Sequence, residues 1–128
     1  EPEEETETLL KGAVDMLELD DFSGAMELLK KVLEREPDNE KAIGMRAEAE
    51  NELMSIYSSK VGELDRVPRV RMAGDEMIWL NLDHRAGFVL SLVDGNMNFD
   101  EILSVCGLDT LDAMRILAEL LQDEVIEV

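Results

Sequence analysis

The stretch Leu82–Gly95, LDHRAGFVLSLVDG, predicts the helix around which the C-terminal half of this chain folds. Asp83 is placed to cap the helix by accepting hydrogen bonds from its first free backbone amides, and Asp94-Gly95 favours a left-handed exit. The residues in between leave almost no polar face, and a helix that is apolar nearly all round has to be buried. We therefore expect everything from Val67 onward to pack around this segment.

Shorter elements flank this segment. Val67–Met72 and Glu76–Leu82 have the pattern of short strands joined by a turn. Further along, Asn98 with Glu101 three residues later favours a capping box at the start of a short helix over Phe99–Val105.

The last predicted helix follows a turn at Cys106-Gly107 and is capped by Asp109 or Thr110. Its apolar positions recur at helical spacing, namely Leu111, Met114, Leu117, Leu120 and Leu121. Val125-Ile126 is predicted to close the chain as a strand.

Strand, strand, helix, helix, helix, strand is the order of a winged helix. The run LNLDHRAGFVLSLVDGNMNFDEILSVCGL…ILAELLQDEVIEV resembles the PqqD-like winged-helix family. The positions that carry the resemblance are Leu82, Gly87, Leu90, Leu92, Asp94-Gly95, Phe99, Ile102 and the closing Leu-Leu-x-x-x-Val-Ile. Because these are mostly core and turn positions, the resemblance supports the fold more than the function.

The PqqD-like resemblance implies that an extended peptide adds to the sheet edge near Met77–Leu82. Trp79 or Ile78 would anchor that peptide, and the alternation of a strand places Ile78 and Leu80 on one face and Met77 and Trp79 on the other. The competing interpretation is that Trp79 only closes the core between sheet and helix.

The N-terminal half predicts a helical hairpin. Residues 1–7 are interpreted as a frayed acidic leader, followed by an amphipathic helix from Thr8 to about Leu19 and a second one that stops at Pro37. Residues 6–39, TETLLKGAVDMLELDDFSGAMELLKKVLEREPDN, resemble one tetratricopeptide repeat, with Ala13, Ala25 and Pro37 at its small and closing positions. The first-helix Trp, Gly and Tyr of that pattern are replaced by Leu9, Ala13 and Met16.

A third helix is predicted over Asn39–Lys60, with Asn39 as its cap. Its apolar arc is wider than one hairpin covers, and consists of Ala42, Ile43, Met45, Ala47, Ala49, Leu53, Met54, Ile56 and Tyr57. Because repeats of this kind need stacked neighbours, the arc is expected to meet the C-terminal half, a second copy of the chain or a partner's helix. Met45, Leu53 and Tyr57 are therefore candidate partner-binding residues, together with Met77, Ile78, Trp79 and Leu80.

These elements predict a mainly α (α+β) fold. A TPR-like segment over 8–61 follows the leader and packs with a winged-helix-like domain over 67–128 that carries a small antiparallel sheet, with a linker at 58–68 between them.

Composition narrows the class of partner. The net charge is −19, from 12 basic and 31 acidic residues, and such a chain repels a phosphate backbone. The helix over 109–123 offers only Arg115 among carboxylates, so we expect no nucleic-acid binding.

No apolar run reaches membrane-spanning length and no signal peptide opens the chain, so membrane insertion is not expected. The single Cys agrees with a reducing, cytoplasmic location, and the missing initiator Met is interpreted as a fragment or processed chain.

Candidate catalytic and metal-binding residues are few. His84 has no second His or Cys near it in the sequence, and Cys106 is interpreted as a small buried filler. Asp94, Asn96 and Asn98 imitate the opening of a calcium loop, but the required Gly and Glu are absent from its later positions. We expect no enzyme activity, no cofactor and no metal site.

The sequence thus predicts a non-catalytic adaptor or scaffold module, part of a larger bacterial signalling or assembly protein by its family resemblance. The expected partner is a protein or peptide that is basic or amphipathic. The alternatives are a PqqD-type peptide chaperone for a modifying enzyme, a winged-helix transcription regulator as the least favoured, and self-association through the third helix.

Overall fold

The computed structural model describes residues 2–72 and 82–128, and side chains from Glu4 onward in the first of these ranges. The described chain is mainly helical and has one two-stranded antiparallel sheet. It divides into two compact units, residues 1–55 and 56–128. The division falls inside the third helix, before the predicted linker at 58–68.

The first helix, α1, spans Pro2–Glu18 and begins earlier than the predicted Thr8. Residues 2–7 are therefore part of α1 and not a separate acidic leader. Proline fits the first turn of a helix, and glutamates near the N-terminus interact favourably with the helix dipole. Thr6 is 5% exposed, so this segment is packed as well as helical.

The second helix, α2, spans Phe22–Arg35 and forms the predicted hairpin with α1. Asp21 caps it by accepting a hydrogen bond from the Gly24 amide at 2.9 Å. Ala13 and Ala25 are fully buried, which agrees with the prediction that small side chains let the two helices approach closely. A Cβ at Gly12 would lie 2.9 Å from Leu28 Cδ1, so the approach is equally close there.

The third helix, α3, spans Glu40–Val61. Asn39 caps it as predicted, accepting from the Ala42 amide at 3.0 Å. Within the N-terminal unit, Ala42 belongs to the same buried cluster as Leu29 and Val32 of α2. Short connections join α1 to α2 and α2 to α3, so consecutive helices run antiparallel and α1 runs in the same direction as α3.

The segment after α3 is fixed to the C-terminal unit. Arg66 donates to the carbonyl oxygen of Val61 at 3.2 Å, at the end of α3. The amides of Phe99 and Asp100 donate to the carbonyl oxygens of Arg66 and Leu64 at 3.1 and 3.0 Å. The predicted linker is thus bound by hydrogen bonds to the start of a later helix.

Two short strands form the sheet. The strand β1 is Arg69–Val70 and β2 is Ile126–Glu127, paired antiparallel with Arg69 opposite Glu127 and Val70 opposite Ile126. The predicted strand over Val67–Met72 is therefore shorter than expected, and the closing strand lies one residue later. The predicted turn at residues 73–75 and the strand over 76–82 lie, except for Leu82, outside the described residues.

Three helices lie between Leu82 and β2: α4 over His84–Ser91, α5 over Phe99–Val105 and α6 over Thr110–Gln122. Asp83 caps α4 by accepting from the Ala86 amide at 2.8 Å, and the capping box predicted for α5 is present. Asp109 precedes α6 without a side-chain capping bond.

The core of the C-terminal unit is centred on α6. This helix contacts α4, α5 and β2, and its buried residues are Ala113, Met114, Ile116, Leu117, Ala118 and Leu120. In α4, Val89 and Leu90 are buried, but Phe88 is 46% exposed. The prediction that the Leu82–Gly95 helix is buried all round and organises this half is therefore wrong, because only one side of α4 faces the core.

Candidate docking grooves

The two flanks of α3 in the N-terminal unit are open grooves. The first, which we call the α1/α3 groove, has a volume of about 430 Å³. Its lining residues are Glu7, Leu10, Lys11, Val14, Asp15, Lys41 and Met45. Val14 is 38% exposed at its wall. The apolar members form the floor, and charged side chains stand at the rim.

The second, the α2/α3 groove, has a volume of about 470 Å³. It is lined by Met26, Glu27, Lys30, Leu33, Glu34, Arg46 and Glu50. Arg46 and Glu50 form an ion pair across one helical turn at 3.6 Å, so part of the rim charge is neutralised internally. This groove therefore combines an apolar floor with a rim of mixed sign.

The positions of small residues on α3 explain why both grooves exist. Ala42 is buried in the cluster that it shares with Leu29 and Val32 of α2, and Ala49, two turns further along α3, is also fully buried. Alanine side chains cannot fill the space between neighbouring helices beyond their line of contact. Met45 and Arg46 leave the helix on opposite flanks of that line and become walls of the two grooves.

The predicted site residues occupy different environments. Met45 is half-buried and lines the α1/α3 groove. Leu53 is only 8% exposed and Tyr57 is half-buried, so the stripe of three is not one open surface. The predicted sheet-edge residues Met77, Ile78, Trp79 and Leu80 lie outside the described residues.

Sequence reasoning missed the groove residues on the hairpin. Leu10 and Val14 lie one turn apart on α1, beside the stripe of Leu9, Ala13 and Met16 that was assigned to the helix seam. A second apolar stripe at a spacing of four was the signal, since residues at that spacing share one helix face.

The groups considered for chemistry are not assembled into a site. His84 is exposed, while Cys106 is 5% exposed and its thiol donates to the Leu103 carbonyl at 3.6 Å. No group of three or more His, Cys, Asp or Glu side chains in residues 2–72 and 82–128 is arranged to hold a metal ion.

The Asp94 side chain accepts hydrogen bonds from backbone amides of its own turn. Its Oδ1 accepts from the amides of Asn96 and Met97 at 2.9 and 3.0 Å. Hydrogen bonds from the Met97 and Asn96 amides hold the pKa of the Asp94 carboxyl below its ordinary value. These bonds, with Gly95 at a φ of 81°, make the turn between α4 and α5.

Comparisons with known proteins identify no family for this chain. No protein-family model matches the chain, and no match was found among curated proteins or solved structures. Among the described helices, none is both long enough and apolar enough to cross a membrane.

Proposed function

We propose that this chain is a non-catalytic adaptor module that binds another protein or peptide through its N-terminal helical unit. The observation that carries the proposal is that both flanks of α3 retain an open groove with an apolar floor. A contiguous exposed apolar surface rimmed by polar residues is typical of a protein-binding surface. A cytoplasmic setting within a larger bacterial protein is part of the same proposal.

In this proposal the N-terminal unit is TPR-like. Two observations support this: α1 and α2 form a close hairpin with Ala13 and Ala25 buried, and Pro37 then precedes a third helix whose Ala42 lies in the buried cluster of the hairpin. A single hairpin with one further helix lacks the stacked neighbour that such repeats require, which explains why apolar surface remains uncovered.

We also propose that the C-terminal unit is a winged helix of the PqqD-like type. The supporting observation is that three helices, α4 to α6, stand between two strands that pair antiparallel. Peptide binding by strand addition, as in a peptide chaperone, is the second candidate function. It is favoured by β2, which among the described residues pairs with β1 alone.

A nucleic-acid-binding role does not fit the charge of α6. Glu119 and Gln122 are exposed on this helix and Asp123 is exposed directly after it, and the one Arg of the helix, Arg115, pairs with Glu119 at 3.3 Å. Phosphate contacts supply most of the affinity of DNA-binding proteins, and this helix face presents carboxylates instead. The proposal therefore excludes transcription regulation by direct contact with DNA.

The test is an affinity capture with matched variants of the full chain. Val14→Glu places a charge in the α1/α3 groove and Met26→Glu does so in the α2/α3 groove, while Ala47→Glu adds the same charge at an exposed position of α3. Circular dichroism and thermal melting check that each variant folds. We expect at least one protein to be retained by wild type and Ala47→Glu but lost with one groove variant. Retention that is equal for all four chains would overturn the proposal.

A further inference from the structure

We infer that this chain forms a two-fold dimer in which the α3 helices of two copies pack antiparallel along one exposed face. We call this face the α3 stripe, and it consists of Ile43, Arg46, Ala47, Glu50 and Met54. These residues share one side of the helix because they recur at spacings of three and four residues. The inference goes beyond the proposed adaptor function and does not depend on it.

The apolar part of the α3 stripe is open to contact. Ile43 is 40% exposed, Ala47 is exposed and Met54 is half-buried. The side of α3 that faces its core carries Ala42 and Ala49, both fully buried. The helix therefore presents apolar side chains on a second side, which the hairpin does not cover.

The corresponding face of α1 is covered by a helix. Ile43 and Ala47 stand 34 residues after Leu9 and Ala13, which is the length of the repeat that residues 6–39 resemble. Ala13 belongs to the buried cluster shared with α2, and Leu9 packs against that cluster. The face of α3 at the same repeat positions remains exposed, so it offers the kind of surface on which an antiparallel helix packs within the hairpin.

The order of residues along the α3 stripe selects a second copy of α3 as that helix. Its two ends are apolar, and two charges of opposite sign lie between them. In an antiparallel pair, Ile43 of each copy meets the partner's Met54. Arg46 of each copy then comes beside the partner's Glu50. Arg46 and Glu50 lie on the same flank of α3, and equal flanks meet in an antiparallel two-fold contact, so both ion pairs form together.

The charges of the α3 stripe balance, although those of the whole chain do not. Two copies that each carry a net charge of −19 repel one another, so a self-contact requires a face without an excess of acid. Within the stripe, Arg46 offsets Glu50 and pairs with it at 3.6 Å in the single chain. The other acids between Ile43 and Met54 are Glu48 and Glu52, which are exposed.

These two acids lie on the opposite flank of α3. Glu48 and Glu52 follow Met45 by three and seven residues, so they share the side of the helix that lines the α1/α3 groove. A dimer through the α3 stripe therefore leaves the α1/α3 groove open to another protein.

The centre of the α3 stripe allows the two backbones to approach closely. Ala47 carries only a methyl group, and a Cβ added at the neighbouring Gly44 would meet no atom within 4 Å. The contact extends along only a few turns of one helix. Because specific and stable interfaces bury about 1,200 Å² or more in total, we expect a reversible dimer and not a permanent one.

Sedimentation velocity of the full chain at physiological salt tests the dimer. We expect the dimer fraction to rise with protein concentration. Ala47→Glu places a carboxylate against the partner's Glu50 and should raise the dimer dissociation constant at least about tenfold. Val14→Glu, in the α1/α3 groove, should leave the dissociation constant unchanged. Circular dichroism and thermal melting check that each variant folds.

Charge reversal tests the antiparallel arrangement. Arg46→Glu and Glu50→Arg should each weaken the dimer about tenfold, because each places like charges at both contacts. The double variant Arg46→Glu/Glu50→Arg should restore the dimer, and a mixture of the two single variants should form a mixed dimer, because opposite charges then meet again. Glu48→Arg changes the net charge as much as Glu50→Arg does and is the control, which should keep the wild-type dissociation constant.

Three results would each overturn the inference. They are a wild-type chain that stays monomeric up to about 1 mM, a dimer that Ala47→Glu leaves intact, and a double reversal that is no stronger than the single ones. The adaptor function is tested separately. If both proposals hold, Ala47→Glu loses the dimer but still retains the captured protein, whereas capture that is equal for all chains contradicts the adaptor function alone.

Discussion

The backbone amide of Asp100 donates to the carbonyl oxygen of Leu64 at 3.0 Å, and this bond joins the start of α5 to the segment that follows α3. The neighbouring Phe99 amide donates to Arg66 in the same way. The first amides of a helix have no partner inside the helix, so a preceding chain segment satisfies them here. What looked like a linker is a structural part of the C-terminal unit.

Hydrogen exchange tests this attachment. The amides of Phe99 and Asp100 should exchange as slowly as those in the middle of α6, because opening them requires release of the 62–68 segment. Amide exchange followed by NMR measures each site. Exchange of both amides at the rate of an unprotected helix end would show that the segment is not held.

Substitution by alanine should have opposite effects on stability at two glycines. Gly62 has a φ of 80° at the end of α3, a conformation that is costly for alanine, whereas Gly44 lies within α3 with no neighbouring atom within 4 Å of an added Cβ. Gly62→Ala should lower the free energy of unfolding by about 1–2 kcal/mol, and Gly44→Ala should raise it by roughly 0.5–1 kcal/mol. Urea denaturation measures both, and equal signs would contradict the assigned backbone conformations.

Truncation of the core distinguishes α6 from α4. Leu117 is fully buried in α6, whereas Phe88 in α4 is 46% exposed. Leu117→Ala should cost about 2–5 kcal/mol of unfolding free energy, since it removes a buried side chain and leaves a cavity. Phe88→Ala should cost clearly less. A larger loss of unfolding free energy for Phe88→Ala than for Leu117→Ala would indicate that the core of the C-terminal unit is centred on α4 instead.

The Asp94 carboxylate is expected to stabilise the fold more at neutral pH than in acid. Its pKa is lowered by hydrogen bonds from Met97 and Asn96, so its charge stabilises the folded state above the unfolded pKa, and this contribution disappears as pH falls through the folded pKa. Asp94→Asn keeps an oxygen that can accept the same bonds but carries no charge. Wild type should exceed Asp94→Asn in stability at neutral pH, with the difference vanishing in acid. A difference that is independent of pH would show that the charge has no role in the turn.

Local signals in the sequence predicted local structure well. The caps at Asn39, Asp83 and Asn98 are confirmed, because each depends on a side chain and an amide within three residues. The start of α1 was misplaced because a run of glutamates resembles a disordered tail, although glutamate is also a good helix former.

Features set by packing were harder to predict. The exposure of Phe88 depends on which side of α4 faces α6, and a continuous apolar run does not reveal that side. The grooves depend on the distance between helices, which is set by Ala42 and Ala49 together with the hairpin. Of the residues proposed from sequence, Met45 lies in a groove, whereas its neighbours Leu10 and Val14 were assigned to no site.

Hydrogen exchange of the full chain, with and without a captured partner, tests the central claim most directly. Binding in a groove beside α3 predicts slower exchange in α3 around Met45 and Arg46, together with α1 around Val14 or α2 around Met26, with the C-terminal unit unchanged. Protection that is confined to residues 82–128, or absent from all three N-terminal helices, would contradict the claim that the flanks of α3 bind the partner.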